Sequence, residues 1–254
     1  MNVTAKGYST DVRLAGDRQR TRTSWLDSAH SFSFGHAYDP ENTHFGFLLV
    51  NNEDVVAPSS GFDTHPHRDM EIVTWVISGS LVHQDSEGNN GLIYPGLAQR
   101  MSAGSGILHS EKNDGQSSAH FVQMWVLPDE AGIEPGYEQL DISDRLAGSS
   151  LVPVASGLAG HRDETAIRIQ QRQAGLSVAR LADTATVTLP SAPYVHVFVA
   201  HGSVAVEGIS TGLDGEAVAL QAGDAVRLSN ADGQRVTAIG PAELLVWEMH
   251  GAVG

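Results

Sequence analysis

Two pairs of side chains stand out for what they could do together. His65-Pro66-His67 and His109-Ser110-Glu111 each put two metal-ligating groups at positions i and i+2. On a β-strand those positions share one face and lean the same way. If the two strands face each other, three imidazoles and a carboxylate converge on one point. We read His65, His67, His109 and Glu111 as the ligands of one divalent metal ion. Pro66 removes a backbone donor, which places the first pair at a strand end or on an edge strand. Gly104-Ser105-Gly106 allows a sharp turn just before the second pair. Such a set, without thiolate, suits iron, copper, manganese, nickel or zinc. A closed structural zinc site is ordinarily richer in thiolate. In an octahedral ion, four protein ligands leave two positions for a bidentate substrate, or for substrate and dioxygen together.

The residues alone leave the carboxylate open, because Glu71 also follows the first pair. On one straight strand Glu71 would lie roughly 13 Å from His67, at about 3.3 Å per residue. A turn at Arg68-Asp69 would bring it back.

The surrounding runs resemble a known family. Gly61-Phe62-Asp63-Thr64-His65-Pro66-His67-Arg68-Asp69-Met70-Glu71 is similar to the first cupin motif, and more narrowly to that of the pirins. Met101 through Glu111 resembles the second pirin motif. Trp25-Leu26-Asp27-Ser28, His30-Ser31-Phe32-Ser33-Phe34 and Tyr38-Asp39-Pro40 resemble the bacterial pirin-like quercetinases, as do Gln123-Met124-Trp125-Val126 and Gly136-Tyr137-Glu138-Gln139. The resemblance covers residues 20 to 140 strongly and the remainder weakly. It implies Glu111 rather than Glu71 as the carboxylate ligand, with Glu71 behind the ligands. It departs from the general cupin pattern, which takes its carboxylate from the first motif. It also implies a metal-dependent dioxygenase, with iron first among the ions. Such an enzyme opens the ring of a flavonol such as quercetin with dioxygen and releases carbon monoxide, and Glu111 serves as its general base. The aromatic substrate needs an apolar mouth, for which Phe32, Phe34, Met124 and Trp125 are the expected residues. Pirins also include metal- or redox-responsive proteins that bind regulatory proteins without turnover, and that is the competing reading.

Composition narrows the partners. Acidic residues outnumber basic ones 30 to 15 in 254 residues, for a formal charge of -15. That disfavours nucleic acid and anionic membrane surfaces, which need a positive face. Without cysteine there is neither a disulfide framework nor thiolate chemistry. Met1 to Gly16 lacks the apolar stretch of a signal peptide, and no apolar run nears the ~18 residues of a membrane span. A cytoplasmic protein is expected.

The elements that must position the ligands read as strands. Phe32 and Phe34 alternate with serines, and Phe45 to Val50 is apolar. Glu71 to Ile77 is β-branched and nearly continuous, the pattern of a strand buried on both faces. Turn signals recur at Ser78-Gly79, Asn90-Gly91, Pro95-Gly96 and Asp114-Gly115. Frequent turns between short strands predict an all-β barrel or sandwich. Proline, glycine and serine then mark a connection, with a helical turn at Ile142 to Leu146. The second half echoes the first. Val195 to Val204 lies over Val73 to Leu81, with Gly202-Ser203 on Gly79-Ser80, and Leu220 to Val226 lies over Leu92 to Ala98. Pro190 then falls where His67 stands and Tyr194 where Glu71 stands, so the second half carries no ligand set. His196, His201 and His250 are read as structural. The expected arrangement is a bicupin: a metal-bearing barrel over 1–135, a connection over 136–159 and a metal-free barrel over 160–254.

Overall fold

The computed structural model describes residues 4–5, 7–211 and 216–254. The chain is almost entirely β, with three short 3₁₀ turns at Ala15–Asp17, Ser143–Gly148 and Ala159–His161. It forms two sandwiches, each made of a seven-stranded and a four-stranded sheet, in keeping with a bicupin. In the first, the large sheet runs in spatial order Gly136–Asp141, Leu97–Ser102, Glu71–Ser78, Ala119–Val126, Leu48–Val56, Leu26–His30, Gln19–Arg22. The small sheet runs Ser60–His67, Ile107–Asn113, Leu81–Asp85, Asn90–Ile93. Val56, Val76, Leu81, Ile93, Leu97 and Phe121 fill the space between them. The second sandwich repeats the plan, with Thr186–Thr188, Arg235–Ala238, Ser203–Thr211 and Glu216–Gln221 as its small sheet.

Glu71–Ser78 is buried along six consecutive residues. One face looks into its own sandwich, where Ile72 packs with Met101 and Ile107. The other packs on the second large sheet, so that Val73, Trp75, Met124 and Val126 share a core with Leu176, Phe198, Leu245 and Trp247. Two indoles cross this seam. Trp75 Nε1 donates to Glu243 Oε1 at 2.7 Å, and Trp247 Nε1 to Met124 Sδ at 3.3 Å.

Strand pairing draws the division between halves differently from the expected 1–135 and 160–254. Tyr8–Arg13 adds to the second sandwich, pairing with Ala225–Asp232 from Ser9↔Ser229 to Arg13↔Ala225. Gly136–Asp141 closes the first large sheet against Leu97–Ser102. Val152–Ser156 already belongs to the second, paired with Ala174–Leu181. The expected strand through Phe32 and Phe34 is also corrected. The strand ends at His30, and the chain then folds back on itself through the bridge Phe34↔Ala37. The apolar run at 45 to 50 begins its strand only at Leu48, which continues to Val56.

Candidate metal centre

The ligand pairs lie on neighbouring antiparallel strands of the first small sheet. Ser60–His67 is its edge strand and ends at His67, which is where Pro66 fits without breaking a ladder. His109 stands directly opposite His65. Ile107–Asn113 alternates strictly, with 107, 109, 111 and 113 buried and Leu108 exposed, so His109 and Glu111 both enter the sandwich. A bulge between His109 and Glu111 shifts the register, leaving Glu111 opposite Phe62.

Side-chain nitrogens of His65, His67 and His109 lie within 4.8 Å of one another, with ring centroids 4.5 to 4.9 Å apart. His65 Nδ1 donates to the backbone oxygen of Asp63 at 2.7 Å, which leaves its Nε2 bare. Nε2 of His67 and Nε2 of His109 are buried without any hydrogen-bond partner. Partnerless buried nitrogens are costly, and a cation between them would satisfy all three. Burial first, then the charge of His65, pushes His67 down to about 4. Burial and then the neighbouring histidines push His109 down to about 2. Both are therefore neutral at physiological pH, the form that binds metal.

Glu111 is 2 % exposed and sits one step deeper, its carboxylate within 4.8 Å of His109 and of His83. It completes a group with those two rather than with all three outer histidines. Burial drives its pKa up to about 7, against hydrogen bonds from Gln123 and Thr74 that pull it down. Gln123 Nε2 donates to both carboxylate oxygens, at 2.8 and 3.1 Å, and Thr74 Oγ1 lies 3.4 Å from Oε1. Trp125 Nε1 donates to Gln123 Oε1 at 3.0 Å, which fixes which end of that amide faces Glu111.

His65, His67 and Glu111 open onto a cavity of about 430 Å³. Trp25, Leu26, Phe34, Phe62 and Trp125 give it apolar walls, and Trp125 meets His67 edge-on at 4.8 Å. Asp54 also lines it, pushed up to about 7 chiefly by burial. Of the four expected mouth residues, Phe34 and Trp125 are in place. Met124, between Gln123 and Trp125, points the opposite way into the seam between sandwiches. Phe32 lies beyond the strand end, buried beneath the Arg227 guanidinium at 4.4 Å. Glu71 is also displaced from its expected place. Three residues from Thr74 on one strand, it occupies the opposite face, and its Oε2 accepts from the backbone N–H of Gln170 at 2.9 Å. His196 is buried beside Phe32 and Arg227, while His201 and His250 are exposed, so none of these joins a ligand group.

His83 and Gln123 are the residues that the spacing argument passed over. His83-Gln84-Asp85 is itself a ligand-type pair at i, i+2, and the same rule would have found it.

The Pirin family profile matches residues 13–126, and the profile described as quercetinase C-terminal cupin domain matches residues 157–249. A Mycobacterium tuberculosis protein named "Putative quercetin 2,3-dioxygenase" is 56% identical over 247 residues, covering 97% of each chain. The quercetin 2,3-dioxygenase of Escherichia coli (strain K12) is 38% identical over 200 residues, covering 78% of this chain and 84% of its own. Among solved structures, the bacterial pirin YhhW from Escherichia coli in complex with nickel(II) superposes with a TM-score of 0.83 at 32% identity, over 96% of this chain and 100% of that one.

Proposed function

Because the chain belongs to the pirin family, we propose that it is a metal-dependent dioxygenase that opens the ring of a flavonol such as quercetin with dioxygen and releases carbon monoxide. The observation that carries this reading is the convergence of His65, His67 and His109, two of them with buried Nε2 atoms that have no partner, beside the buried carboxyl of Glu111 at the end of a largely apolar cavity.

His65, His67 and His109 would hold the ion through Nε2, with Glu111 as the fourth ligand. The donor set suits iron, which the family likeness puts first, and equally nickel, the ion in the YhhW complex, copper, manganese or zinc. A divalent ion there supplies Lewis acidity, so that a hydroxyl bound to it ionises near neutral pH. The remaining work falls to the chain's own residues. Glu111 would receive the proton at a carboxylate oxygen, as a positioned general base. Gln123 holds that carboxylate through both oxygens and is itself held by Trp125. Trp25, Phe34, Phe62 and Trp125 offer faces and edges to a planar aromatic and keep water from it. The volume falls within the roughly 300–1,000 Å³ of small-molecule sites.

The test is oxygen uptake with quercetin by protein loaded separately with iron, nickel, copper, manganese and zinc, with carbon monoxide measured in the headspace. Uptake matched by carbon monoxide is expected with at least one ion. No uptake with any of them would overturn the enzyme reading in favour of a metal-responsive protein that acts by binding partners.

A further inference from the structure

Behind the outer histidines lies His83, fully buried and stacked on Tyr137 at 4.6 Å between ring centroids. Its two nitrogens point in opposite directions. Nε2 is 3.2 Å from Asp85 Oδ2, and Nδ1 is 3.5 Å from Nδ1 of His109. Asp85 is anchored by its own turn. Its Oδ1 accepts from the backbone N–H groups of Glu87 and Asn89, at 3.0 and 2.9 Å, and from Asn89 Nδ2 at 3.1 Å. Oδ2 also accepts from Asn89 Nδ2 at 3.0 Å and is aimed at His83.

A proton count along this line has one solution. A carboxylate only accepts, so the proton between Asp85 and His83 sits on His83 Nε2. A neutral imidazole with its proton on Nε2 has a bare Nδ1 that only accepts. The proton between the two rings therefore sits on His109 Nδ1, and Nε2 of His109 keeps its lone pair for the cluster. We propose that Asp85 and His83 are positioning residues that set the tautomer of His109, and through it the metal affinity of the centre. The second half of this statement rests on the metal-centre reading above; the first does not.

Asp85→Asn is the discriminating change. Two backbone N–H donors face Oδ1 alone, so the amide oxygen stays there, the NH₂ takes the place of Oδ2, and the Asn89 side chain must turn away from it. That NH₂ can only donate to His83 Nε2. His83 must then carry its proton on Nδ1 and give it to His109, whose proton moves to Nε2, where the ion should bind. A replacement of nearly the same shape, two hydrogen bonds from the ligand atom, thus blocks the ligand. His83→Phe keeps the stack on Tyr137 but removes the acceptor, leaving the His109 tautomer unset.

Two measurements test this. Imidazole ¹⁵N shifts of the metal-free protein, assigned with a His109→Gln reference, report the tautomer. Calorimetric titration with nickel(II) reports affinity. In the wild type His109 should be protonated on Nδ1. Asp85→Asn should move the proton to Nε2 and weaken nickel binding by roughly 10–100-fold, and His83→Phe should weaken it by about 10-fold. An unchanged tautomer in Asp85→Asn overturns the relay, and an inverted tautomer with unchanged affinity overturns its influence on the metal. If the wild type does not bind nickel(II), the metal reading fails at that ion, while the shifts still decide the relay.

Discussion

Glu111 joins two properties that pull in opposite directions with pH. Its carboxyl has an ordinary pKa of 4.5 in the unfolded chain and is pushed up to about 7 when buried. The folded, metal-free protein therefore holds a proton that the unfolded chain has lost between those values. The stability this contributes is complete below about 4.5 and is lost as pH rises through about 7. Glu111→Gln cannot titrate. Relative to that variant, the metal-free wild type should lose melting temperature as pH is raised from about 5 to about 8. A parallel pair of profiles would refute the buried carboxyl. Turnover of quercetin by the loaded variant should fall roughly 10²–10⁴-fold, measured as oxygen uptake at matched metal content. At this scale the three histidines were legible, because each pair obeys the two-residue period of a strand. The same rule only sets Glu71 on one of the two faces of its strand. An odd separation from Thr74 puts it on the wrong face, but nothing in the sequence said which face was inside.

The bulge lies in Ser60–His67, where Asp63 and Thr64 stand against Ser110 alone, and it sets Glu111 opposite Phe62, next to a glycine of that same strand. Gly61 has φ +153°, and a Cβ there would stand 2.2 Å from the backbone oxygen of Glu111. Backbone cannot swing aside as a side chain can, so Gly61→Ala must push Glu111 away from Gln123. We expect it to destabilise the metal-free protein by more than about 1 kcal/mol and to weaken nickel binding. Gly88→Ala, at φ +87° with nothing within 4 Å, carries the backbone strain without the collision. Thermal melts and titrations of both variants check this, and equal metal affinities would refute the role of the bulge. Strand content was legible at Glu71–Ser78, where β-branched and aromatic residues run on. It failed at Phe32 and Phe34, where alternation persists past the strand end. The fold-back there is set by the hydroxyl of Ser33, which donates to the backbone oxygen of Asp39 and accepts from its N–H. Alternation alone does not encode that contact.

Across the whole molecule, the internal echo in the sequence corresponds to a repeated structure. Gly79 and Gly202, overlaid by sequence, have φ of +74° and +75°. At each, an added Cβ would meet the carbonyl of the chain crossing beneath, Ser118 in one half and Pro241 in the other. The halves differ in what fills them. Where the first holds His65, His83 and His109 on its small sheet, the second holds Val187, Val206 and Val236, all buried. Among the described residues, no metal-type group forms there. The two sandwiches are joined through faces that no pattern in either half alone reveals. Trp75 points into that seam and away from the metal centre. Trp75→Phe keeps the ring but leaves buried Glu243 short of a donor, which should cost roughly 1–3 kcal/mol. Urea denaturation should show a lower midpoint, with metal content per chain unchanged. Loss of metal at unchanged stability would contradict this division of roles.

The strand Tyr8–Arg13 finds its partner more than two hundred residues later, at Ala225–Asp232. During synthesis at about 5–20 residues per second, this strand waits roughly 10–40 s for the edge it will join. Until then its ladder groups are unpaired, a state that invites pairing with other chains. Its side chains reduce the hazard, since Asp11 and Arg13 place opposite charges along a short segment and pair with each other at 2.8 Å. The second sandwich is thus completed by a strand made long before the one it pairs with. A ribosome-bound chain halted before Ala225 would carry that strand free, and a protease acting on stalled chains should find it there.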